Sequence, residues 1–118
     1  TVPDTQKDFH KKLLGRNGEK AVAKYLEKQG YKLIKRNYRT KCGEADLVCE
    51  YDGVIVFVEV KTRSGDRFGT PAEAVDERKR EKYRKIALCY MAENGECAVS
   101  FAVAEVTTDG IRLIENAF

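Results

Sequence analysis

Hydrophobic positions along the chain follow two periods, one near 3.6 and one near 2, and their succession outlines the elements. Between Asp4 and Gln29, Leu14, Gly18, Ala21, Val22, Tyr25 and Leu26 fall on one broad arc when residues are spaced about 100° apart. Lys20, Lys24, Glu27 and Lys28 lie opposite, so a first helix is predicted, stopped by Gly30 as a left-handed cap. Tyr31–Tyr38 reads as an entry strand, followed by a short turn at Lys41-Cys42-Gly43 and a second strand over Glu44–Tyr51. Asp52-Gly53 is a two-residue hairpin signal, because both central positions of a type I′ turn need positive φ. The third strand, Val54–Lys61, is a run of β-branched and aromatic residues suited to a position covered on both faces.

A polar loop over Thr62–Thr70 precedes Pro71, which suits the first turn of a second helix running to about Glu93 and closed by Asn94-Gly95. Ala98–Val106 and Ile111–Ile114 finish the chain as strands joined at Asp109-Gly110. The order α-β-β-β-α-β-β predicts an α/β fold, a mixed central sheet flanked by helices. Neither an internal repeat nor a linker interrupts it, so residues 1–118 are read as a single domain.

Composition narrows this picture only a little. Charged residues make up 35% of the chain and no apolar run approaches a membrane span, so a membrane partner is not expected. Thr1–Lys12 lacks the apolar core of a signal peptide, which points to the cytoplasm. The four cysteines (Cys42, Cys49, Cys89, Cys97) form no C-x-x-C pair and lie far in sequence from the lone His10. They read as reduced thiols, not as a zinc site or disulfide framework.

The hairpin carries the chemistry. With a two-residue loop, Tyr51 faces Val54 and paired positions sum to 105, which sets Asp46 opposite Glu59 and Glu44 opposite Lys61. All four side chains then share one face. Opposed carboxylates would have Cβ atoms about 4.5–5.5 Å apart, and like charges so placed are destabilising. Glu59 and Lys61 also interrupt a core strand, where an unpartnered charge is costly. A divalent cation between Asp46 and Glu59 removes the conflict, and oxygen ligands of this kind suit Mg²⁺. The plain structural alternative is a Glu44–Lys61 salt bridge at the mouth of the sheet, with Asp46 solvated.

Glu19 shares a helical stripe with Gly15, Val22 and Leu26, and Gly15 and Gly18 permit close approach to the sheet. It is therefore either a site acid or a surface glutamate. Lys79 falls in the middle of the apolar stripe Val75, Tyr83, Ile86 and Tyr90. It either points towards the site or snorkels outward. Arg78–Lys85 holds six basic residues in eight, and Arg36, Arg39, Lys41, Arg63 and Arg67 add more from loops near the carboxylates. Clusters of this kind commonly contact phosphates, although a solvated helix face is the ordinary alternative.

The same residues resemble a known family. Gly15-Arg16-x-Gly18-Glu19, Asn37-Tyr38-Arg39, Gly43-Glu44-x-Asp46-Leu47 and Val56-Phe57-Val58-Glu59-Val60-Lys61-Thr62-Arg63 are similar to the YraN-like family of small bacterial proteins. Phe68-Gly69, Pro71-Ala72, Glu73-Ala74-Val75 and Lys79 continue the match, which runs from Leu14 to about Tyr90. That family is placed in the PD-(D/E)XK nuclease superfamily, near archaeal Holliday junction resolvases. The resemblance implies a restriction-endonuclease-like α-β-β-β-α-β core, Mg²⁺ ligands at Asp46 and Glu59, a catalytic Lys61 and an auxiliary acid at Glu19. One departure stands out: where the family tends to carry Arg-Phe-Asp-Val, this chain has Ser100-Phe101-Ala102-Val103.

Taken together, the expectation is a Mg²⁺- or Mn²⁺-dependent endonuclease acting on DNA, with the metal held by Asp46, Glu59 and the Val60 carbonyl. Arg16, Arg39, Arg63, Arg78, Lys79 and Lys82 are the expected nucleic-acid contacts. Cleavage of branched DNA needs two active sites and would imply a homodimer. The alternatives are a nucleic-acid-binding module with little or no turnover and a protein-interaction domain that offers its basic helix to an acidic partner.

Overall fold

The computed structural model describes residues 18–63, 65, 67, 68 and 76–117. Helix α1 covers residues 18–28, and the part of the first helix expected before residue 18 lies outside the described residues. It ends as its glycine predicts. Gly30 takes φ 96°. The Gly30 N–H donates to the Glu27 carbonyl at 3.1 Å and the Tyr31 N–H to the Leu26 carbonyl at 2.9 Å, the two bonds of a Schellman cap.

The strands follow as β1 (Lys32–Thr40), β2 (Gly43–Tyr51) and β3 (Val54–Thr62), then helix α2 (Glu77–Asn94), then β4 (Val99–Thr107) and β5 (Gly110–Ile114). They form one five-stranded sheet in the order β1-β2-β3-β4-β5. Only β3 and β4 are parallel, joined by the α2 crossover, so the sheet is mixed as the element order requires. Asp52 (φ 52°) and Gly53 (φ 78°) make the expected hairpin turn. The predicted register holds for the five pairs from Tyr51–Val54 to Leu47–Val58.

Two expectations shift. Helix α2 begins at Glu77: Asp76 is extended (φ −119°, ψ 174°) and its carboxylate accepts the Lys79 N–H at 2.9 Å. That N-cap ends any continuous helix from Pro71, which itself lies outside the described residues. In the last hairpin Thr107 pairs with Gly110, so Thr108 and Asp109 form the turn and Gly110 (φ 144°) already belongs to β5.

Two apolar layers cover the sheet. Under α1, Val22, Ala23 and Leu26 pack on Leu47, Cys49, Val56, Val58, Ala102, Ala104 and Val106. Under α2, Tyr83, Ile86, Ala87 and Tyr90 pack on Tyr38, Ala45, Val48, Ile55 and Phe57. Along β2 the alternation of faces breaks at one place, and β1 carries a further register shift between Leu33 and Lys35. Leu47 belongs to the α1 layer, yet Ala45, two residues away, belongs to the α2 layer. The change falls at Asp46, and on the paired strand at Asn37, whose φ of 49° turns the backbone where an L-residue seldom goes. Both strands change phase together, and the expected single shared face for Glu44, Asp46, Glu59 and Lys61 does not survive this turn.

Candidate metal centre

The site forms where the β2–β3 ladder opens. Its last regular pair is Leu47–Val58, and Asp46 does not continue it opposite Glu59. Instead, the Asp46 carboxylate accepts the Val60 N–H at 2.8 Å, standing in for the missing backbone partner. Because the N–H and C=O of one strand residue point to the same neighbouring strand, the Val60 carbonyl lies on the side from which Asp46 approaches.

Asp46 draws acids from both layers. Burial pushes its pKa up, the Val60 N–H pulls it down, the Glu59 and Glu44 charges raise it and Lys82 lowers it, leaving it above the ordinary aspartate value. Glu19, on α1, is likewise raised by burial and then by Asp46 and Glu44, with Arg36 opposing. Gly18 explains how Glu19 comes near: a Cβ there would stand 2.9 Å from Thr62 Oγ1, so α1 runs directly against the end of β3.

Glu59 lies on the α2 side. Its Oε1 is 3.0 Å from Lys79 Nζ, whereas its Oε2 is shielded from solvent and has no hydrogen-bond partner. A buried carboxylate oxygen without a donor is costly, and it is the feature here that a cation would satisfy. Among the described residues no three His, Cys, Asp or Glu side chains gather into a group that could hold a metal ion. The candidate ligand set is therefore two carboxylates and a carbonyl. Mg²⁺ commonly binds in this manner, keeping waters and adding substrate phosphate instead of entering an all-protein cage.

The basic residues divide. Lys79 points into the site, resolving the choice left open by its place in the apolar stripe. Arg39 pairs with Glu44 at 3.6 Å and is highly exposed, so Glu44 has a cationic partner other than the Lys61 expected from the register. Lys82 lies under the β1–β2 turn, where a Cβ on Gly43 would meet its Cε at 2.6 Å. Arg78 stays on the surface of α2, in one groove with Lys82 and Lys85. Arg63 turns the other way: its Nε is 3.0 Å from Glu105 Oε2. Lys61 follows Glu59 on the same side of β3 by alternation, with Glu105 as its ladder neighbour. Arg16 lies outside the described residues.

Two residues escaped the sequence reading. Glu105 is fully buried between Arg63 and Arg112, the latter at 2.6 Å. Its signal was a lone charge inside Val103-Ala104-Glu105-Val106, the same kind of interruption that marked Glu59. Tyr83 had read only as core; its phenol is raised well above the ordinary tyrosine range, first by burial and then by the charges of Glu59, Asp46 and Glu44. Ala102 pairs with Val58 and sits in the α1 layer. There it lines a cavity of about 220 Å³ with Tyr31, Tyr51 and Glu115. The departure at this position thus falls on the opposite side of the sheet from Glu59.

Residues 18–107 match the model of the Uncharacterised protein family UPF0102, and the chain belongs to that family, the YraN-like proteins its motifs resemble. It is 43% identical to a UPF0102 protein of Caldanaerobacter subterraneus subsp. tengcongensis, covering 95% of this chain and 99% of that one. A UPF0102 protein of Syntrophomonas wolfei is 48% identical over 89% of this chain and 96% of its own length. One from Symbiobacterium thermophilum is 44% identical over 89% and 95%. The match takes in Glu19, Asp46, Glu59, Lys61 and Lys79 alike. No helix among the described residues is long and apolar enough to cross a membrane.

Proposed function

We propose that the chain is a Mg²⁺- or Mn²⁺-dependent endonuclease of the PD-(D/E)XK type, hydrolysing phosphodiester bonds in DNA, with structured or branched DNA as the expected substrate. One observation carries the reading: two carboxylates, Asp46 and Glu59, crowd the opening of the β2–β3 ladder, and one buried Glu59 oxygen lacks a partner. Asp46, Glu59 and the Val60 carbonyl would hold the ion. Once bound, a divalent cation supplies Lewis-acid stabilisation of the scissile phosphate and its leaving oxygen. The Val60 N–H fixes the Asp46 carboxylate before any substrate arrives. Lys61 orients the attacking water and offsets charge that develops on the phosphate. Glu19 positions a water from the α1 side. Arg39, Arg78 and Lys82 contact the backbone phosphates.

The test is titration calorimetry with Mn²⁺ and Mg²⁺ on the wild type and Asp46→Ala, followed by cleavage assays on branched and linear DNA. Binding and cleavage lost together in the variant, with its circular dichroism unchanged, are the expected result. Cleavage that persists in Asp46→Ala and Glu59→Ala would sink the proposal.

A second reading has its own support. Lys79 already neutralises one Glu59 oxygen, as a site closed by an internal ion pair would have it. The chain would then bind nucleic acid without turning it over. Metal-independent DNA binding, with no cleavage by the wild type, would favour this alternative.

A further inference from the structure

The fold brings together two thiols that are 47 residues apart in sequence, with Sγ atoms 4.0 Å from one another. Cys42 sits in the turn between β1 and β2, and Cys89 lies on α2. Both are free and partly exposed, whereas Cys49 is 1% exposed inside the α1 layer. We propose that Cys42 and Cys89 are a redox modification site, closing reversibly to a disulfide that ties the β1–β2 turn to α2 when the chain meets a low-molecular-weight disulfide.

The geometry asks for little movement. A disulfide bond is about 2.05 Å long, so the sulfurs must close by roughly 2 Å. The turn already rests on α2, since the space beside Gly43 is filled by the Lys82 side chain. Closure then calls for rotation of the two cysteine side chains with some give in the turn. Access is open from both sides. Cys42 lines a groove with Arg78, Lys82 and Lys85, and Cys89 lines a second with Arg39 and Lys41. These five basic side chains outnumber the acids Glu77, Glu81 and Glu93 in the same grooves, a balance that favours an anionic co-reactant, and glutathione disulfide is a suitable probe.

The exchange balances. The thiolate of Cys42 attacks one sulfur of glutathione disulfide, forming a mixed disulfide and expelling a first glutathione thiolate. The Cys89 thiolate then attacks the Cys42 sulfur and expels the second. Two protein thiols lose two electrons to one external disulfide, and their protons end on two glutathione thiols.

The experiment uses the full chain, reduced, freed of reductant and exposed to oxidised glutathione at neutral pH. Intact mass and non-reducing peptide mapping should show a monomer lighter by two hydrogens, its Cys42 peptide joined to its Cys89 peptide. Dithiothreitol should reverse the change, and closure should raise Tm by roughly 5–15 °C. Cys97→Ser should close like the wild type, while Cys42→Ala and Cys89→Ala should stop at a mixed disulfide on the remaining thiol. Lasting glutathione adducts without closure in the wild type, a bond through Cys49 or Cys97, an intermolecular link, or no reaction would each overturn the proposal. The readout involves neither metal nor DNA, so it stands or falls apart from the nuclease reading.

Discussion

Two groups of acidic side chains lie at the same end of the sheet, and they are treated in opposite ways. Glu105 is completely buried, yet a guanidinium meets each of its oxygens, Arg63 at 3.0 Å and Arg112 at 2.6 Å. Arg112 in turn lies over the Phe68 ring, 5.0 Å from its centroid. The acids around Asp46 are less buried; burial and then neighbouring acids raise the proton affinity of Asp46 and Glu19, and an oxygen of Glu59 has no partner. Burial alone therefore does not distinguish the two groups. The distinction is whether each carboxylate oxygen is met: both oxygens of Glu105 are, whereas Glu59 Oε2 is not. A site that awaits a cation should look like the second group and not the first.

The sharpest way to break the comparison is to remove one acid from each group. Asp46→Asn and Glu59→Gln should lower metal affinity and DNA cleavage by more than about 100-fold, since even partners standing behind a metal ligand cost 10–100-fold. Both should unfold in urea at or above the wild-type midpoint. Glu105→Gln should do the reverse. It removes the charge that two guanidiniums share, and breaking a buried pair costs about 3–5 kcal/mol; the partial exposure of both arginines brings the loss to the bottom of that range or just below it, about 2–3 kcal/mol. Residual cleavage per folded molecule should stay within a few-fold of wild type. A Glu105→Gln protein as stable as wild type would show that the arginines, not the acid, hold this corner.

Much of this contrast was legible before the fold was known, and the reasons are local. Gly30, Asp52-Gly53 and the β-branched and aromatic run in Val54–Lys61 report backbone conformation directly, so the hairpin register emerged from turn chemistry alone. The turn of β1 and β2 at Asn37 and Asp46 was not legible. It depends on a positive φ at Asn37, an ordinary strand neighbour in sequence, and it moves Asp46 from a ladder pair to a bond with Val60. Nor could the sequence pair Glu105 with Arg63, 42 residues away. The charge in an apolar strand was visible, but its partners come from tertiary structure. Pro71 misled for a similar reason: it is a good helix opener, but the Asp76 carboxylate competes for the Lys79 N–H and wins the boundary.

A smaller effect tests the electrostatics of the site without any assay of function. Because the Asp46 pKa is raised on folding, its protonated form is the one the fold prefers. The stability this contributes is fully present below the unfolded aspartate pKa and is lost as pH rises through the folded value. Asp46→Asn, which keeps an acceptor for the Val60 N–H, never suffers that loss. In metal-free buffer it should match the wild type in acid and exceed it by about 0.5–2 kcal/mol near neutrality, the range of single stabilising changes. Mn²⁺ should shrink the gap by stabilising only the wild type. A gap independent of pH would mean that Asp46 ionises as freely in the folded chain as in the unfolded one.

The finest distinction concerns Lys79, whose ammonium sits on the oxygen of Glu59 that does have a partner. With both side chains partly exposed, the pair itself is worth no more than about 1 kcal/mol, so Lys79→Met should scarcely move stability. Its effect on metal affinity has a sign that separates two arrangements. If the cation uses Glu59 Oε2 while Lys79 keeps Oε1, the lysine anchors the carboxylate, and the substitution weakens Mn²⁺ binding severalfold. If instead ammonium and cation contend for the same carboxylate charge, removing the lysine tightens binding by a similar factor. The buried, unpartnered Oε2 favours the first arrangement, because it offers a ligand without displacing the ammonium. Weakened binding in Lys79→Met is therefore the expected result, and tighter binding would recast Lys79 as the internal cation that fills this site in the absence of metal.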